Sequence, residues 1–137
     1  MTRAGGSTPA GLAAWHRVLA NGNRPEELAE ILADNAVFHS PVVHTPQAGK
    51  ATVVAYLAAA GQVLGGEQFR YVRELVDGRD VLLEFETQID EIHINGVDLI
   101  RFDETGKISD FKVMIRPLKA INKVWEAMAA QLGGASG

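Results

Sequence analysis

The chain has 137 residues, no cysteine and a formal net charge of −4, with 47% hydrophobic and 22% charged residues. That length suits one domain with a proper core, and the composition excludes wholesale disorder. A mildly acidic chain gives no electrostatic reason to bind nucleic acid or an anionic membrane, and without cysteine there is no disulfide, thiolate metal site or thiol nucleophile.

The ends, 1–11 and 133–137, are rich in glycine and serine and read as flexible tails around a single domain over 12–132. Leu12 to Ala20 is the first predicted helix, stopped by Asn21-Gly22-Asn23. It is the longest apolar candidate near the start, but His16 and Arg17 break it, so neither a signal peptide nor a membrane helix is expected. Pro25-Glu26-Glu27 opens a second helix, with Leu28, Ile31 and Leu32 on one face, ended by Asp34-Asn35. Ala36 to Ser40 reads as a short strand stopped by Pro41, and a loop from Val42 to Gly49 follows. Lys50 to Leu64 is a third helix, closed by Gly65-Gly66.

From Gln68 onward the period changes to two. Gln68 to Val76 is one strand and Val81 to Asp90 the next, with apolar odd positions opposite Glu84, Glu86, Gln88 and Asp90. Asn95-Gly96 is the hairpin signal before a strand over Val97 to Phe102. Lys107 to Arg116 is the last strand, and Leu118 to Leu132 an amphipathic helix. Helices first, then an antiparallel meander, then a helix, indicate an α+β fold: a cone-shaped α+β barrel with helices on the concave face of a curved, mostly antiparallel sheet. Such a cone tends to enclose an apolar pocket with few polar groups.

The segments Leu32 to Val42 (LADNAVFHSPV), the helix start at Gly49-Lys50, and Gly96 to Pro117 (GVDLIRFDETGKISDFKVMIRP) resemble the nuclear transport factor 2-like superfamily, and within it the SnoaL-like and ketosteroid isomerase-like proteins. The resemblance implies the cone fold but spans isomerases, cyclases, hydrolases and non-catalytic binders. In the isomerases a carboxylate base precedes the proline after the first short strand; the matching position here is Ser40. The oxyanion-stabilising tyrosine of the first helix matches Trp15, and the second oxyanion donor, an acid kept protonated by its apolar site, matches Asp98 (ketosteroid isomerase is a standard illustration of such an acid). A serine has no useful basicity without a neighbouring base, so the steroid isomerase mechanism is not expected.

The same resemblance places Asp98, Ile100 and Phe102 inside the cone with Phe111, Val113 and Ile115. Lys112, Met114, Arg116, Glu84 and Glu86 then lie outside, on a face where relatives commonly form homodimers. Asp98 is the foremost catalytic candidate, as a carboxyl interrupting an apolar strand on its dry side. His44, in a loop able to fold over the mouth, and Tyr56, whose hydroxyl needs a partner if buried, are candidate helpers. His39 alternates away from the pocket. Trp15, Phe38, Ser40, Tyr56 and Leu57 are expected along the pocket wall, joined from the sheet by Leu83, Phe85 and Ile100. Glu84 and Glu86 are expected to pair with Lys112 and Arg116 across strands. No cofactor is implied, and the histidine spacing fits no metal motif. Two functions stay open: cofactor-free acid–base chemistry on a small, largely apolar carbonyl compound, or non-catalytic binding of a lipid- or terpenoid-like molecule. A cytoplasmic location is the expectation from the absence of cysteine.

Overall fold

The computed structural model describes residues 9–133. Of the tails expected over 1–11 and 133–137, residues 1–8 and 134–137 lie outside the described residues. The first helix, α1 (Ala10–Ala20), takes up Ala10 and Gly11, so it starts two residues before the helix expected from Leu12. Gly11 packs so tightly on the Phe102 ring and the Gly106 carbonyl that a Cβ there would clash with both.

Helix α2 (Pro25–Ile31) carries Pro25 in its first turn and passes directly into strand β1 (Leu32–His39). The strand therefore starts four residues earlier than the alternation indicated. A two-residue strand, β2 (Gln47–Ala48), pairs antiparallel with Val37 and Phe38 inside what reads as a loop. Helix α3 (Lys50–Leu64) matches its expected limits. Strands β3 (Arg70–Asp77), β4 (Asp80–Ile89), β5 (Ile92–Phe102) and β6 (Ile108–Arg116) form the meander, and α4 (Leu118–Gln131) closes the chain.

The strands form one six-stranded sheet in the order β2-β1-β6-β5-β4-β3. It is mixed, because β1 runs parallel to β6 while the other neighbours are antiparallel. The sheet is curved but does not close, so it is a cone open along β2 and β3 rather than a complete barrel. Its inner face carries Leu83, Phe85, Ile100 and Phe111, packed against Leu12, Trp15, Leu28, Val53 and Leu57 of the helices in one core.

Two local features depart from the sequence reading. The β4–β5 hairpin turns at Asp90-Glu91, both in the left-handed region (φ 50° and 72°), and not at Asn95-Gly96. Asn95 and Gly96 sit inside β5, opposite Glu86 and Phe85. The glycine serves packing: a Cβ on Gly96 would lie 2.5 Å from the Phe85 ring and 2.7 Å from the Met114 carbonyl. Asn95 instead donates across the ladder to Glu84 and to the Phe85 carbonyl, both at 3.0 Å. The second departure is a register shift in β3 between Tyr71 and Arg73. Val72 is the extra residue, and the shift lets Tyr71 and Glu74 both face the helices.

Replacing Gly96 by valine forces the Phe85 ring out of the core. Overpacking of this kind costs about 1–3 kcal/mol, so Gly96→Val should lower the urea midpoint with little change in slope. An unchanged midpoint would show that the Phe85 ring yields without cost.

Candidate active site

Asp98 lies in the middle of β5, on the inner face, between Leu83 of β4 and Val113 of β6. It is 6% exposed. The alternation of β5 puts it there: Ile94, Gly96, Ile100 and Phe102 share its face, and all are buried. Tyr71 donates its hydroxyl proton to Asp98 Oδ2 at 2.5 Å, and Trp15 Nε1 donates to the Tyr71 oxygen at 3.0 Å. The three residues form a relay of donors from α1 through β3 to β5 that ends on the carboxyl. Tyr71 occupies Oδ2 and leaves Oδ1 to the cavity.

Two opposing effects act on this carboxyl. Removal from water disfavours the anion, and the Tyr71 hydrogen bond favours it. Desolvation wins, and the pKa is pushed up to about 7. The same burial, followed by the adjacent Asp98 charge, raises the Tyr71 phenol well above its ordinary value. Tyr71 thus stays protonated and keeps donating. At its edge, Glu74 pairs with His16 at 3.1 Å, and the His16 ring meets the Tyr71 ring edge-on.

Asp98 opens onto an inner cavity of about 40 Å³, walled by Trp15, Leu57, Tyr71, Phe85, Phe111 and Asn23 among others. A water needs roughly 10–15 Å³ of such space. A second cavity of about 70 Å³ lies under α4, bounded by Phe38, Ser40, Tyr56, Ile115, Trp125 and Met128 among others. The two share Ala60, Leu64 and Val113 as walls. The two cavities therefore lie side by side.

The residues expected at the site are distributed over these spaces. Trp15, Leu57, Phe85, Asp98, Phe111 and Val113 meet in the inner cavity. Phe38, Ser40, Tyr56 and Ile115 line the cavity under α4, where Tyr56 stacks on Phe38 at 5.5 Å. Leu83 and Ile100 face the same side but line neither cavity; both are fully buried in the core. His44 is exposed and borders a separate hollow with His39 and Lys112, away from Asp98. Ser40 Oγ accepts the backbone N–H groups of Val42 and Val43 at 3.1 and 3.3 Å, so it holds the turn after β1. Glu84 and Glu86 do face outward, but they pair with Arg73 and Arg70 of the adjoining β3. Lys112 and Arg116 lie on β6, one strand too far away, beyond β5. His39 faces outward too, bonded to Asp110 at 2.8 Å.

Tyr71 and Asn23 escape the sequence reading. The shift at Val72 hides the facing of Tyr71, and Asn23 reads as nothing more than a helix stop. Trp125 reads from the sequence as a wall or core aromatic, and Met128 only as part of the stripe of an amphipathic helix; both line the cavity under α4. Among the described residues, no cluster of histidine and carboxylate side chains is suited to a metal.

The raised pKa makes stability pH-dependent. Asp98 binds its proton in the folded chain up to about pH 7, while the unfolded carboxyl loses it near 4. Between those values the folded state holds the extra proton, so this contribution to stability is complete below the unfolded pKa and declines as pH rises, levelling off above about 7. The slope approaches at most about −1.4 kcal/mol per pH unit. Asp98→Asn should flatten the melting temperature between pH 5 and 7 relative to the parent; an identical pH profile in both proteins would contradict the perturbed carboxyl.

Comparison with known proteins places this geometry in a family. Residues 12–111 match the SnoaL-like domain. A steroid delta-isomerase from Pseudomonas aeruginosa is 39% identical, with a TM-score of 0.85 over 91% of this chain and 90% of that one. An uncharacterised protein with a cystatin-like fold from Silicibacter pomeroyi is 32% identical, with a TM-score of 0.85 over 94% and 89%. An NTF2-like protein of unknown function from Mesorhizobium loti, 17% identical, shares the fold at a TM-score of 0.65 over 78% and 91%. A search of curated proteins finds no match. With the cone, the inward acid and a family match over most of its length, this chain belongs to the SnoaL-like domain family, within the NTF2-like superfamily.

Proposed function

We propose that this protein binds a small, largely apolar carbonyl compound in the inner cavity beside Asp98, next to the cavity under α4, and carries out acid–base chemistry on it through Asp98. The observation that carries the reading is the relay from Trp15 through Tyr71 to Asp98, at the end of an apolar cavity. A carboxyl with a pKa near 7 both gives and takes a proton near neutral pH, as a general acid or base must. Protonated, its Oδ1 is a hydrogen-bond donor to a carbonyl oxygen and steadies the charge that develops there in an enolisation. The relative from Pseudomonas aeruginosa is named as a steroid delta-isomerase, a proton-shift reaction of this class. The assignment to a steroid is not carried over, because Ser40 stands at the position of the base and its oxygen serves the turn.

A second reading, a non-catalytic binder of a lipid- or terpenoid-like molecule, is favoured by one observation. The cavity under α4 is lined mostly by apolar side chains, with Ser40, Tyr56 and Trp125 as the lining residues that carry a polar side-chain group. The two readings separate on a small β,γ-unsaturated ketone such as β,γ-cyclohexenone, whose shift to the conjugated isomer is followed by absorbance. Under the enzymatic reading the parent accelerates the shift, and Asp98→Asn and Asp98→Ala reduce it by about 100-fold or more. Binding by the parent without turnover supports the carrier. Turnover unchanged by both substitutions removes Asp98 from the mechanism.

We further propose a homodimer through the outer sheet face. Leu75 and Met114 are 54% and 48% exposed there, among the ion pairs of Arg70, Arg73 and Arg101. Two-fold pairing is the commonest assembly of soluble chains. Solution mass at low micromolar concentration should be twice that of the chain, and Met114→Glu should halve it; a monomeric parent ends this proposal.

A further inference from the structure

One buried polar atom beside the inner cavity has no part in the acid–base reading. Asn23 lines that cavity along with Trp15, Tyr71 and Asp98, and is 4% exposed. It follows α1 in the left-handed region (φ 55°), with its backbone N–H on the Val18 carbonyl at 3.0 Å. Its side-chain Nδ2 donates to the Leu57 carbonyl of α3 at 3.0 Å. A backbone carbonyl only accepts, so this contact fixes which end of the amide is nitrogen. The other end, Oδ1, has no hydrogen-bond partner among the described residues.

The amide is accommodated with some care. A Cβ on Gly61 would lie 2.7 Å from Asn23 Cβ and 2.9 Å from Nδ2, so the bare backbone of α3 at that point makes room for this side chain. The turn itself does not need an amide, since a glycine adopts positive φ more readily. The tie to Leu57 needs only a donor. Neither demand uses Oδ1, and a buried carbonyl oxygen without a donor is unfavourable, because it gives up water and gains nothing in return. The oxygen is shut off from bulk solvent, and the inner cavity that Asn23 lines is the open space at this residue.

We infer that Asn23 determines specificity: its Oδ1 accepts a hydrogen bond from a hydroxyl group of the ligand, while Asp98 engages the ligand's carbonyl oxygen. The ligand class narrows to hydroxyl-bearing, otherwise apolar ketones. This inference rests on the reading of the cavities as a site for a small carbonyl compound. A site built around a buried acceptor discriminates strongly against an analogue that lacks the donor, whereas an apolar cavity penalises the hydroxyl.

The test compares cyclohexanone with hydroxycyclohexanone, titrated into the full chain and followed by calorimetry and by tryptophan fluorescence, to which Trp15 of this cavity and Trp125 of the neighbouring one contribute. The parent should bind the hydroxyketone about tenfold more tightly than the ketone. Asn23→Gly, which keeps the left-handed turn, should abolish or reverse that preference. Should that variant fail to fold, the ligand pair on the parent alone decides. If the ketone binds as well as or better than the hydroxyketone, the role of Asn23 is overturned and the site reading survives. If neither ring ketone binds, the site reading falls, and this inference with it.

Discussion

The constraint on which this structure depends is a carboxyl group held in the dry centre of a cone with a single side-chain partner. An ionised carboxylate at such depth usually gathers two or three N–H donors. Among the described residues Asp98 has one donor, the hydroxyl of Tyr71. That single bond is weaker than the loss of water, which is why the group holds its proton toward neutral pH. The surroundings follow from this imbalance. Tyr71 must reach inward from an edge strand, so β3 carries a bulge immediately after it. The phenol oxygen must in turn be satisfied, and Trp15 of α1 supplies the donor. The position of the first helix over the sheet is thus tied to the polar chemistry of β5 as well as to apolar packing.

Much of this was legible in the sequence, for a physical reason. From Val81 to Thr87 and from Ile94 to Phe102 each inner residue is buried and each outer one is more exposed, so the resemblance that set Asp98 inward, extended along the strands by the period of two, also set Glu84 and Glu86 outward correctly. What escaped it depends on contacts between strands. Asn95-Gly96 has the composition of a tight turn, but the Phe85 ring lies over that glycine and the turn falls on Asp90-Glu91, a pair with no such signature. The bulge at Val72 shifts the faces of β3 without any mark in composition. The strand β2 is two residues long and exists only because β1 offers an edge. Partners of charged residues were misread for a similar reason: strand order puts β3, and not β6, beside β4.

The two faces of the sheet consequently do different kinds of work. The inner face concentrates its polarity at Asp98 and at Thr87, whose hydroxyl donates to the Leu64 carbonyl. The outer face spreads charge in rungs: Arg70 with Glu86, Arg73 with Glu84, and Arg101 held by two bonds to Asp80. Exposed pairs of this kind contribute little to stability individually. Their effect is to keep an edge strand in register and to leave Leu75 and Met114 as the apolar ground between them.

The absence of a carboxylate at Ser40 changes the kind of proton transfer the proposed site can perform. Where a base and an oxyanion donor are separate groups, one removes the proton while the other steadies the oxygen, and their pKa values are driven apart. Here one group near pH 7 faces the inner cavity, with a tyrosine behind it whose proton is firmly held. Tyr71 is therefore a positioning residue: it fixes one carboxyl oxygen and leaves the other to act. On the proposed reading a single oxygen must either polarise a carbonyl or shuttle a proton, and the geometry of the bound molecule decides between them. That gives an anchor at the far side of the cavity particular weight. A small ring held only by apolar walls can rotate past one polar contact, whereas two contacts at different points of the cavity fix which carbon lies against Asp98.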